Sequence, residues 1–229
     1  MWNVDENVFN VIGSALWKMN GAQVDNAMIG RGQTVIQVTE DSFFWCKRPK
    51  ATFHENLQWN KVPRAKSLLL LEDLGVGHSG RVWLVGSQSG RVGVLKFSVA
   101  QSKGNWNGSL EEFQKRAMET ELNWWRKIYP ALGKMCSVQK FAGYWTLLMP
   151  HLCTPERNEG TLELVEACLR ENFANHGLKH GDVAWRNIGV YKTDTGENAC
   201  IVYDLESVKE STSSDWVEGA VDELCERLP

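Results

Sequence analysis

At 229 residues the chain has room for one full domain or two small lobes that share a cleft, and not for two independent enzymes. An apolar fraction of 43% and a charged fraction of 23% exclude extended disorder, and a net charge of −3 leaves no broad basic surface for nucleic acid. The longest aliphatic run, Leu68 to Leu71, is far short of the roughly 20 apolar residues a spanning helix needs, and no basic-then-apolar leader opens the chain, so no membrane contact is expected.

Val8, Val11, Ile12, Ala15, Leu16 and Met19 recur at helical spacing, so residues 5–20 read as an amphipathic helix ending near Gly21. Two β-rich runs follow, TVIQV from Thr34 and SFFWCKR from Ser42, joined tightly by Thr39, Glu40 and Asp41. Residues 1–60 thus form a helix-and-hairpin extension without a chemical motif. The small basic cluster Lys47, Arg48 and Lys50 reads as solvated surface. Trp45 stands where a restriction-nuclease strand would carry an acidic metal ligand, which argues against that chemistry.

From Ala65 the pattern becomes a meander: AKSLLLLEDL, the glycine-rich turn GVGHSG, RVWLVGS, the turn QSGR, and VGVLKFS. Phe113, Ala117, Leu122, Trp125 and Ile128 then place a long helix over 110–128, limited by Pro130. Another β-rich stretch ends at Met149, and Pro150 with TPERNEG marks a boundary between residues 61–150 and 151–229. Beyond it, Leu162, Val165, Leu169 and Phe173 define a helix stopped by Gly177. LKHGD, the hairpin NIGVYKTDTGENACIVYD and a last helix near 217–224 complete the chain. The six cysteines contain no CxxC pair, so reduced thiols in an intracellular setting are expected, with neither a zinc site nor a disulfide framework.

Four features carry chemistry. Gly75, Gly77, Gly80 and Val82 fit G-x-G-x-x-G-x-V, and glycines let backbone N–H groups approach phosphate oxygens with no Cβ in the way. A strand rather than a helix follows, which excludes a dinucleotide fingerprint. Lys96 lies on the third strand among Val92, Val94, Leu95 and Phe97, where an inward lysine needs an anionic partner. Glu121 is the candidate, because Trp124, Trp125 and Ile128 follow it as an apolar face; Glu119 is the alternative. HGDVAWRN then sets His180, Asp182, Arg186 and Asn187 in one loop, and Asp204 follows the hydrophobic strand CIVY.

In this order and spacing, the four features resemble the protein-kinase-like superfamily over about residues 65–224. The resemblance implies an α+β, two-lobed fold: an antiparallel β-sheet N-lobe with one long helix, and a reduced, mainly helical C-lobe. It also implies an ATP- and Mg²⁺-dependent phosphotransferase. Lys96, supported by Glu121, would contact the α- and β-phosphates. Asp182 would orient the attacking hydroxyl, with His180 and Arg186 in the same catalytic loop, and Asn187 and Asp204 would hold the metal. Gly75, Gly77 and Gly80 would cover the phosphates, and Val82 and Val94 the adenine. Met149 would line the back of that pocket, with His151 in a hinge from Pro150 to Leu152.

Several departures narrow the resemblance. HGD and Asp204-Leu205-Glu206 look more like aminoglycoside and choline kinases, whereas Arg186 before Asn187 resembles the tyrosine-kinase loop. SDWVEGAVDEL resembles the start of the kinase F helix, with Asp215 in the place of its buried aspartate, but so soon after Asp204 that no activation segment fits between them. A minimal kinase of this kind is similar to the kinase-like domains of Crinkler-type effectors, which implies an intracellular effector role, in the cytoplasm or in a host nucleus. A protein acceptor is the expected partner, with a second copy or another subunit completing the small lobe. The alternatives are a small-molecule kinase and a catalytically inactive nucleotide-binding scaffold.

Overall fold

Near-continuous apolar runs from Leu68 onward and a helical repeat from Leu110 onward generate the elements that place the chemistry. The computed structural model describes residues 2–3, 34–41, 43–47, 66–76, 80–86, 92–98, 108–141, 143–193 and 196–229. The expected helix over 5–20, Gly77 and the QSGR turn lie outside the described residues. The chain divides into two compact units, Met1–Leu122 with Ala131–His151, and Asn123–Pro130 with Leu152–Pro229.

The first unit is organised by an antiparallel sheet. Its strands are β1 (Trp2–Asn3), β2 (Thr34–Thr39), β3 (Phe43–Lys47), β4 (Ser67–Val76), β5 (Gly80–Gly86), β6 (Val92–Ser98), β7 (Ser137–Phe141) and β8 (Tyr144–Pro150). They lie in the order β1-β3-β2-β4-β5-β6-β8-β7. The β2–β3 hairpin is continuous with the meander, since β2 pairs with β4 through Ile36↔Leu70 and Val38↔Leu68. Leu68, Leu70, Val85, Leu95, Phe97 and Leu147 are buried in its core. Along β6, Val92, Leu95, Lys96 and Phe97 are all buried, as in a strand covered on both faces.

Gly75 differs from its expected place in the turn. Strand β4 runs on to Val76, and Gly75, with φ of 116°, sits where the register against β5 shifts, between Asp73 and Gly75. Only a residue without a Cβ adopts that conformation cheaply, so Gly75 serves a bulge within the strand. Asp73 fixes the bulge: its Oδ1 accepts from the Gly75 N–H at 3.0 Å, and its carboxylate pairs with Arg81 on β5.

Helix α1 (Leu110–Ile128) opens on a reciprocal cap. Ser109 Oγ accepts from the Glu112 N–H at 3.1 Å, while Glu112 Oε2 accepts from the Ser109 N–H at 2.7 Å. The helix belongs to the first unit through Leu122 and to the second from Asn123. A short turn, α2 (Pro130–Gly133), follows it.

The second unit packs α3 (Glu159–Asn172) and α4 (Trp216–Cys225) with the hairpin of β10 (Ile188–Lys192) and β11 (Asn198–Val202). A small ladder joins β9 (Leu178–Lys179) to β12 (Lys209–Glu210). Trp125, Val165, Leu169, Phe173, Val202 and Val217 are buried in this unit's core. Helix α3 ends earlier than the sequence suggests. The chain leaves it at Phe173 for a 3₁₀ turn over Ala174–His176, and Gly177, with φ of 65°, closes that turn instead of the α-helix. Asp215 also differs from expectation: it is exposed, with αR backbone just ahead of α4, and makes no side-chain cap there, so it is not a buried aspartate. No helix among the described residues is long and apolar enough to cross a membrane.

Candidate functional site

Each unit carries one constellation of the expected residues. In the first, strand register does the placing. Val82 lies opposite Lys96, and Lys96 lies opposite Leu147; Val94 is flanked in the same way by Leu84 and Met149. Side chains directly opposite in an antiparallel pair share a face, and so do residues two apart on one strand. Val82, Val94, Lys96 and Met149 therefore line one face of the sheet. Val82 and Val94 are half-buried there, and Met149 is buried. His151 lies just past the end of β8 and is half-buried.

Gly80 stands on the same face, at the start of β5. A Cβ built on it would lie 2.4 Å from the Phe97 carbonyl oxygen and 3.0 Å from Lys96 Cγ. The glycine is thus required by close packing of β5 on β6, next to the lysine stem.

Lys96 does not end in open solvent. Its Nζ meets Glu121 Oε2 at 2.9 Å, with the two side chains only 5% and 1% exposed. Glu119 faces out instead and pairs with Lys115 at 3.6 Å on the helix surface. The Glu121 carboxylate on α1 therefore helps to fix the ammonium group, because a buried lysine without an anionic partner would carry a desolvation cost of several kcal/mol.

In the second unit, hydrogen bonds between loops do the placing. Arg186 donates to both carboxylate oxygens of Asp182, at 2.8 and 2.6 Å. Asn187 Nδ2 donates to the Asp182 carbonyl at 2.9 Å and to its Oδ2 at 3.0 Å. The loop is also stitched to the strand leading into Asp204. The Tyr203 N–H donates to the Asn187 carbonyl at 2.8 Å, and the Tyr203 hydroxyl donates to the Arg186 carbonyl.

His180 is the hub of this stitching. The Asp182 N–H donates to its Nδ1 at 3.1 Å, and its Nε2 donates to the Tyr203 carbonyl at 3.0 Å. That pair of bonds requires the neutral ring protonated on Nε2. Burial pushes its pKa below the usual histidine value, against the pull of the Tyr203 carbonyl and of the Asp204 and Asp182 carboxylates. Phe173 packs edge-on against the ring, with centroids 5.7 Å apart.

The glycine of HGD has a steric cause. A Cβ on Gly181 would lie 2.9 Å from the Ser207 carbonyl oxygen, so the short 3₁₀ turn Leu205–Ser207 lies too close for a larger residue without a shift. Asp204, which precedes that turn, has φ of 63° and ψ of 54°, and is the one positive-φ residue other than glycine among the described residues. An aspartate held in the left-handed region costs of order 1 kcal/mol or more, and such strain concentrates at functional positions.

Three supports carry no sequence motif. Tyr129 Oη donates to the Val202 carbonyl and accepts from the Val202 N–H, both at 3.1 Å. Trp185 Nε1 donates to the Leu224 carbonyl at 3.1 Å, tying the loop to the end of α4. Segment 152–153 lies along β10, where Cys153 and Val190 exchange backbone bonds of 3.0 and 2.9 Å, and Gly189 leaves room for Leu152. Nothing in the sequence near Tyr129 points to Val202; only a buried phenol's need for a partner hints that it has one.

The chain belongs to the family described as "Family of unknown function (DUF5898)", whose model matches residues 73–191, just over half of its length. That segment runs from Asp73 through the Lys96 strand and the His180–Asn187 loop to Tyr191. A search of curated proteins finds no match. Among solved structures, the chain is similar to a Rio2 kinase–ADP/Mg²⁺-phosphoaspartate complex from Chaetomium thermophilum, at 14% identity and a TM-score of 0.43. The match covers 87% of this chain and 65% of that one, so the chain spans less than two thirds of that protein's length. A likeness this distant assigns nothing to individual residues. The matches also lend no support to a tie with Crinkler-type effectors.

Proposed function

We propose that the protein is an ATP- and Mg²⁺-dependent phosphotransferase of the protein-kinase-like kind, two-lobed in arrangement. The observation that carries this reading is the stitched loop of the second unit, in which Asp182, Asn187 and the strand into Asp204 are held by one hydrogen-bond network. Phosphoryl transfer asks little covalent chemistry of a protein. It asks for an aimed hydroxyl and neutralised phosphate charge, and both depend on rigid placement.

In this reading Asp182 accepts from the acceptor hydroxyl and aims it. Arg186 sets the angle of that carboxylate, and His180 holds the backbone of the loop. Lys96, fixed by Glu121, contacts phosphate oxygens, while Gly80 and the glycine turn lie along them. Val82, Val94 and Met149 form an apolar face suited to a purine ring, with His151 at its edge. Gly75 contributes through the bulge near the end of β4.

The donor set fits magnesium. Asn187 uses its Nδ2 on Asp182, which leaves its carbonyl Oδ1 to coordinate, and Asp204 offers a half-buried carboxylate. Hard oxygen donors of this kind suit Mg²⁺, which when bound would neutralise phosphate charge.

One observation favours a second reading, that of a nucleotide binder without turnover: both oxygens of Asp182 already accept from Arg186. A single experiment separates the two. Melting temperature is measured with ATP, with and without Mg²⁺, alongside transfer from labelled ATP to a generic protein and to small hydroxyl compounds. Kinase activity predicts a metal-dependent rise on the order of 5 °C that Asp204→Ala abolishes, and transfer that Asp182→Asn abolishes. The rise without transfer leaves the inactive binder. Neither effect would defeat both readings. The acceptor that becomes labelled distinguishes a protein kinase from a small-molecule kinase.

A further inference from the structure

Within the first unit, two buried polar side chains stand where the face that carries Lys96 continues past it. Strand β6 presents Val94, Lys96 and Ser98 on one face, and Ser98 lies opposite Gly80 as Lys96 lies opposite Val82. On α1, Gln114, Met118 and Glu121 follow one another at four and three residues and form a single buried stripe. The 2.9 Å contact between Lys96 and Glu121 shows that this stripe faces that side of β6. Nearer the start of the helix, Trp145 Nε1 donates to Glu111 Oε1 at 3.3 Å. Trp145 stands one residue before Thr146, the partner of Phe97, so it lies beside Ser98. The first turns of α1 therefore cover the end of β6 that carries Ser98, with Gln114 between the anchors at Glu111 and Glu121. A helix stripe packed on a sheet ordinarily carries apolar residues, and Gln114 breaks that pattern. Ser98 and Gln114 are only 2% and 5% exposed, and among the described residues neither Ser98 Oγ nor Gln114 Nε2 has a hydrogen-bond partner. Buried polar groups are ordinarily paired, and departures from that rule gather at functional sites.

We infer that Ser98 and Gln114 form, beside Lys96, a donor subsite for the terminal phosphate of a nucleoside triphosphate, and that they make the protein prefer ATP to ADP. The inference rests on the phosphotransferase reading, in which Val82, Val94 and Met149 face the purine and Lys96 contacts phosphate oxygens. Along β6 the face then passes from apolar Val94 to cationic Lys96 to Ser98, each step being two residues or about 7 Å. A phosphate chain that runs from the purine past Lys96 brings its last group to Ser98 and Gln114. The donor chemistry suits that group. A hydroxyl and a primary amide donate to phosphate oxygens without adding charge, while the ammonium group of Lys96 supplies it. A diphosphate ends one group short and leaves both donors unpaired, and a site built to hydrogen-bond one group discriminates against the ligand that lacks it.

The test compares wild type, Gln114→Met and Ser98→Ala. Calorimetry gives the dissociation constants of ATP and ADP, each with Mg²⁺, and a thermal melt without nucleotide gives the stability of the free chain. Each variant removes one donor at nearly constant volume. Each should weaken ATP binding about tenfold while leaving ADP binding unchanged, so the preference for ATP collapses. Each should also raise the melting temperature of the free chain by about 2–4 °C, because an unpaired buried group is gone. Ser98→Ala gives the same comparison if Gln114→Met does not fold. Equal changes in the two affinities, or no change in either, would overturn the inference. So would a lower melting temperature of the free chain in both variants, which would show that the two groups serve the fold through internal water. A wild type that binds neither nucleotide would instead defeat the phosphotransferase reading, and this inference with it.

Discussion

Charged groups in the first unit are held by strand register, whereas those in the second are held by bonds between loops. Lys96 owes its place to β5, β6 and β8, and to the Glu121 carboxylate on α1. Asp182 owes its place to Arg186, Asn187, His180 and Tyr203, none of which sits inside a long regular element. A site of the first kind draws on strongly desolvated charge. A site of the second kind spreads its energy over several bonds of moderate strength, each worth about 1 kcal/mol net.

That difference can be broken from either side. The largest expected effect belongs to Glu121→Ala, which takes a close carboxylate from a buried ammonium group and should cost about 3–5 kcal/mol in chemical denaturation. Adding Lys96→Met to that variant should restore much of the loss. Tyr129→Phe should come next, at about 2–3 kcal/mol, because it leaves the N–H and C=O of Val202 without partners in the core. Gly181→Ala should cost about 1–2 kcal/mol, since Ser207 must give way to the new Cβ. If Gly181→Ala instead proved as damaging as Glu121→Ala, the second unit would depend as heavily on close packing as the first does on buried charge.

A smaller effect sharpens the comparison through pH. His180 is neutral when folded and its pKa is depressed by burial, whereas the unfolded ring takes up a proton near pH 6.5. Between those two values the unfolded chain binds more protons, so stability should fall as pH drops below about 6.5. Urea midpoints of wild type and His180→Asn across pH 5 to 7 check this, and the variant should show the shallower slope. The smallest effect is expected for Glu119→Ala, within about 0.5 kcal/mol, because its partner Lys115 is half exposed. Two glutamates on one helix should thus differ severalfold in cost.

Legibility in the sequence follows the same division. Apolar runs set off by turn residues place the meander, a helical repeat places α1, and the aromatic stripe after Glu121 is enough to prefer it to Glu119 as the partner of Lys96. The spacing of His180, Asp182, Asn187 and Asp204 marks which side chains gather in the second unit. It does not reveal how they are held. Gly75 belongs to a bulge because of strand register, which a glycine pattern does not encode. Gly181 answers to Ser207, Trp185 to Leu224 and Tyr129 to Val202, and each of these contacts links segments far apart along the chain. Asp215 shows the reverse error, since a motif-like neighbourhood suggested burial that the local backbone does not provide.

The Tyr129 contact has a kinetic consequence. Within the hairpin, the Tyr203 N–H bonds across to Asn187, so antiparallel alternation turns the amide of Val202 away from β10, toward the phenol. Its hydrogen is protected by a side chain and not by the ladder. In deuterated water, Val202 should therefore exchange at the rate at which the phenol departs, which makes that amide a direct clock for loosening of the strand that leads to Asp204.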